Sequence, residues 1–163
     1  MKRLLLLFVS LAAVFSWSQQ TRPGNTANPQ KKPVSPFAEY TGEWTATFEG
    51  KIWMRLTLVS EGEKLAGSLV HARDIRLNDN GDMKSASEEQ STAIITDAVV
   101  NPDGLMITVK DSETQETDRY MMRLVQPQKD AADLKLIGQV MPPGMPKPKP
   151  WRLVKSGIAA TPR

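Results

Sequence analysis

TGEWTATFEGKIWMRLTLVSEGEKLAGSLVHA, residues 41–72, decides the fold. Apolar side chains recur there at every second position, the repeat of a strand with one covered face. Trp44, Ala46 and Phe48 share a face of the first segment, with Thr45, Thr47 and Glu49 on the other. Ile52, Met54, Leu56 and Leu58 form the covered set of the second, opposed by Trp53, Arg55, Thr57 and Val59. The polar turn Glu61-Gly62-Glu63-Lys64 leads into a third segment carrying Leu65, Gly67 and Leu69. Three consecutive antiparallel strands are predicted.

The same pattern runs on towards the end of the chain. Strands are predicted over 92–100, 105–110, 119–126, 133–141 and 151–155, and the turns at 78–82 and 101–104 carry the Asn, Asp and Gly that close hairpins. The polar stretch DMKSASEEQS, residues 82–91, is predicted to be a surface loop or a lid with a short helical turn. Between Val70 and Ile75 no Gly or Pro ends the third strand. Either the chain bends there through a bulge, or His71 and Arg73 face inward among aliphatic side chains. The expected fold is all-β: an antiparallel up-and-down meander of eight to nine strands, which hides its edges by closing into a barrel.

The N-terminus has a different character. Lys2 and Arg3 precede an apolar run from Leu4 to Phe15, and Ser16 and Ser18 supply the small residues of a cleavage site. This arrangement predicts a signal peptide over 1–18, cleaved near Ser18, and no membrane span in the mature protein. Residues 19–36 are rich in Pro and polar side chains and are expected to form a disordered leader, followed by the barrel over 37–157 and a flexible tail over 158–163. The chain has no Cys, which excludes disulfides, thiolate metal sites and a lipid-modified anchor. Export without disulfides points to a bacterial periplasm or culture fluid. Loss of Lys2 and Arg3 lowers the formal charge from +3 to +1, with no basic patch for nucleic acid.

Catalytic and metal signatures are lacking. His71 is the single histidine, and Ser68 near it does not sit in a nucleophile elbow. Aligning Gly81 with the glycine of a calcium loop puts Arg76 and Ser87 where carboxylates belong. No metal, cofactor or enzymatic activity is therefore expected. Two features suit binding. His71, Arg73 and Tyr120 would present a cationic, hydrogen-bonding patch to an anionic head group, with Met54 and Met122 as adaptable apolar lining. Residues 141–151, MPPGMPKPKPW, form a Pro-rich link suited either to crossing the protein's own barrel or to docking on an envelope protein.

Gly42-Glu43-Trp44 resembles the Gly-x-Trp signature of lipocalins and other calycins, and Leu65-Ala66-Gly67 is similar to the Leu-x-Gly of avidin-like members. That resemblance implies that Gly42 admits the first strand, that Trp44 plugs the closed end, and that Arg152 packs over it as the cation of the last strand. Thr96-Asp97 matches the family's middle motif only loosely; a C-terminal helix and the lipocalin cysteines are missing. The chain thus looks like a bacterial secreted lipocalin-like domain. The implied function is non-catalytic binding of a small apolar or amphipathic molecule. The alternative is an envelope structural or interaction protein with a solid core, contacting partners through its Pro-rich segments.

Overall fold

The computed structural model describes residues 34–127, 130–139 and 143–156. The expected signal peptide, most of the expected leader, the expected tail and residues 128–129, 140–142 and 157 lie outside them. Alternation of covered and exposed side chains gives ten strands: β1 Gly42–Phe48, β2 Lys51–Glu61, β3 Lys64–Ala72, β4 Ile75–Leu77, β5 Met83–Ala86, β6 Gln90–Asn101, β7 Gly104–Asp111, β8 Thr117–Leu124, β9 Ala131–Ile137 and β10 Trp151–Lys155. Eight of them form a closed antiparallel barrel in the order β1-β10-β9-β8-β7-β6-β3-β2, and β4 pairs only with β5. The connectivity is up-and-down, with the β4–β5 ribbon inserted between neighbours β3 and β6.

An eight-stranded barrel is just wide enough for its inward side chains to fill. Trp44, Leu56, Leu69, Ile107, Met122 and Leu134 meet there with essentially no exposure. Both ends are covered. At one end the Trp44 indole Nε1 donates to the Tyr40 carbonyl at 2.8 Å, which draws the turn at 36–40 and buried Phe37 across the opening. At the other, Ile75, Met83 and Ala86 of the ribbon pack against the core.

Two expectations need correction, and one open alternative is decided. The inward set of β2 is not Ile52, Met54, Leu56 and Leu58. A bulge shifts the β1–β2 register from Ala46↔Met54 to Thr47↔Ile52, leaving Trp53 as the extra residue. Trp53 is thereby buried, and Ile52 is 45% exposed. The polar stretch 82–91 contains strand β5, because Ile75↔Ala86 and Leu77↔Met83 pair across the 78–82 turn. Of the two courses left open after Val70, the chain takes the bend: β3 stops at Ala72, and the Arg73 amide donates to the Glu89 carbonyl at 2.8 Å before β4 begins.

Gly42 and Lys155 complete the Trp44 end. Gly42 has φ +124°, and a Cβ there would lie 2.8 Å from Lys155 Cε. The bare backbone lets the lysine fold inward until its ammonium stands 5.1 Å from the Trp44 ring centroid, a cation–π contact worth about 0.5–1 kcal/mol. Truncation of Trp44 to Ala empties the most crowded part of this end and is expected to cost about 3–5 kcal/mol in urea unfolding; a loss under 1 kcal/mol would show that the indole does not hold the barrel shut.

Candidate functional site

The residues singled out for ligand binding do not form one site. Met54 and Met122 lie sealed in the packed interior. Tyr120 is also buried, its ring tilted against Trp151 at 6.3 Å. Loss of hydration raises the Tyr120 phenol pKa far above its ordinary value, with a smaller push from Asp118, so it stays neutral. Only His71 and Arg73 share an opening, a polar cleft of about 280 Å³ with Ser91, Asp111, Glu113 and Asp118.

That cleft is occupied by its own pairings. His71 follows Leu69 on the inner face of β3, half-buried, with Nδ1 2.8 Å from the Ala72 carbonyl. Arg73 is ion-paired to Glu113 and, at 3.8 Å, to Glu89. The Ser91 hydroxyl donates to Asp111, whose other oxygen accepts the Glu113 and Thr114 amides at 2.8 Å. These donors, the serine first, hold the Asp111 carboxyl well below the usual range. Arg73 is thus compensated, and the expected anion-binding patch is replaced by a network that staples β6 to the β7–β8 turn.

The barrel-closing assignments divide. Gly42 and Trp44 sit at the closed end, but Arg152 does not pack over the tryptophan. It points outward, with Nε 2.8 Å from Asp133 Oδ1. Side chains alternate along β10, so Trp151, Leu153 and Lys155 share the inner face and Arg152 falls on the other. The parity of these positions was the signal that identifies Lys155.

An apolar opening lies at the ribbon end. A groove of about 490 Å³ is bordered by Ile75 and Leu77 of the ribbon, Leu136 of β9, Trp151 of β10, and Met145 and Pro146 of the link. Its floor is stiff, since Trp151 meets Trp53 edge-on at 5.3 Å and 76°. The two walls are tied together. The Lys149 amide donates to the Gly81 carbonyl at 3.0 Å, and its ammonium grips both Asp82 oxygens at 2.8 and 2.9 Å. Gly81 permits this crossing: it has φ +79°, and a Cβ there would stand 2.2 Å from the Lys147 carbonyl oxygen. The lysine lowers the Asp82 pKa. Arg76, Lys84 and Gln139 border the same groove and are exposed.

Sequence reasoning missed this groove because its walls come from segments more than 50 residues apart, one of them partly read as a loop. Compared with protein-family profiles, with characterised proteins and with solved structures, the chain shows no significant match.

Acid should loosen both networks. Asp111 and Asp82 have folded-state pKa values below their unfolded value of about 3.9, so their stabilisation is fully present above that pH and is lost as pH falls through the folded values. Urea midpoints are expected to be level from about pH 7 to 5 and to decline below about 4. Asp111→Asn should lower the midpoint at neutral pH and flatten the acid decline; an unaltered acid limb would remove Asp111 from the account.

Proposed function

We propose that this protein is an exported, non-catalytic, lipocalin-like binding protein that holds a small apolar or amphipathic molecule at the ribbon-covered mouth of its barrel. The observation that carries this reading is the groove over Trp151. Its volume of about 490 Å³ falls within the range of small-molecule sites, and its walls are apolar and cross-linked by Lys149 and Asp82. The site lies at the mouth because the interior behind it is packed with Leu134, Met122 and Tyr120.

Export rests on the basic, apolar and small-residue order of residues 1–18. Kinship with the calycins rests on Gly42, Trp44 and the eight-stranded closed barrel. Small-molecule binding is favoured over docking of the Pro-rich link on an envelope protein, because Lys147 and Lys149 already engage the protein's own 78–82 turn.

The mature protein titrated with the apolar dye N-phenyl-1-naphthylamine should show saturable fluorescence enhancement, one dye per chain, with tryptophan emission quenched in step. Leu77→Asp, which puts a charge on the groove wall, should weaken binding about tenfold or more while leaving the circular dichroism unchanged. Absence of saturable binding by the wild-type protein would overturn the proposal.

A further inference from the structure

The groove has a charge character that its apolar walls do not require. Arg76 and Lys84 both border it, and among the described residues no Asp or Glu does. The two cations are close together, since Arg76 pairs with Ser85, the residue after Lys84, across the ribbon. Neither has an ion-pair partner among the described residues. Several nearby charges are matched: Lys149 with Asp82, Lys51 with Glu88, and Arg73 with Glu89 and Glu113. Asp82, Glu88 and Glu89 are thus committed to other cations. An apolar trough next to two unmatched cations is complementary to a molecule with a hydrocarbon body and one negative end.

Building on the small-molecule function proposed above, we infer that the ligand is a single-chain anionic amphiphile, its chain lying along Trp151 and Leu136 and its anionic head held by Arg76 and Lys84. The planar guanidinium of Arg76 can present two parallel N–H donors to a carboxylate or phosphate, and the Lys84 ammonium adds a mobile point charge. Gln139 also borders the groove, but its amide nitrogen donates to Asp118 at 2.8 Å, so the head-group contacts fall to the two cations. A neutral chain of equal length would fill the trough and leave both cations unmatched. A cationic one would be repelled. Selectivity among chains of one length therefore comes from the head group.

The experiment compares laurate, 1-dodecanol and dodecyltrimethylammonium as monomers, each titrated into the mature protein by calorimetry. Laurate is expected to bind about tenfold or more tightly than dodecanol, and the quaternary ammonium more weakly than either. In the Arg76→Gln/Lys84→Gln double variant the laurate-to-dodecanol ratio should fall to about one, whereas Lys110→Gln, on β7 outside the groove, should keep the wild-type ratio. Equal affinities for laurate and dodecanol, or a preference that survives the double variant, would overturn the head-group assignment while leaving the proposed function standing. If none of the three binds saturably, the proposed function fails as well. Sedimentation with vesicles containing phosphatidylglycerol distinguishes a membrane surface from a free amphiphile: the protein should stay in the supernatant, and pelleting without monomer binding would overturn the inference.

Discussion

The seam between β1 and β10 is the constraint on which the rest depends. It joins residues more than a hundred positions apart and has only two register pairs, Trp44↔Lys155 and Thr45↔Val154. Without it, β1 and β10 would be bare sheet edges and the filled interior would lie open to water. The short ladder is reinforced on both sides. The Ser156 amide donates to the Glu43 carbonyl at 2.8 Å beyond it, and the Lys155 side chain folds over Trp44 within it. The Trp44 indole then carries the closure outward to Tyr40, whose own phenol pKa is raised by loss of hydration and by Glu39. A contact that closes the sheet thus also places the lid at one end.

Much of the barrel was legible in the sequence because its strands have one wet and one dry face. Trp44, Leu56, Leu69, Ile107 and Leu134 are inward, as alternation demands. Legibility failed where alternation breaks for a reason that is not local. The bulge that turns Trp53 inward depends on what β1 offers opposite it, and nothing in KIWMRL announces an extra residue. The ribbon strand Met83–Ala86 was obscured by its small size and by Lys84 and Ser85, both exposed. Arg152 was misplaced for a different reason: the family resemblance asked for an arginine, whereas the pleat of β10 points Lys155 to the tryptophan.

The two openings near the ribbon show how composition alone misleads about a site. His71 and Arg73 are conspicuous in the sequence because they interrupt an apolar strand, yet the Ala72 carbonyl of the same strand satisfies His71, and Glu89 and Glu113 satisfy Arg73. Arg76 and Lys84 are inconspicuous, being charged residues in polar surroundings. They gain meaning only when the Pro-rich link and the end of β9 bring Met145 and Leu136 beside them. Whether a cation is available depends on what the fold leaves next to it.

The position of the ribbon has a consequence for how such a protein can change. β3 and β6 are hydrogen-bonded neighbours, from Ser68↔Ile94 to Ala72↔Gln90, so the whole excursion through residues 73–89 leaves and rejoins the wall at adjacent places. Lengthening, shortening or recoding that excursion alters the rim without moving a rung of the ladder. The wall and the rim can therefore vary under separate selection.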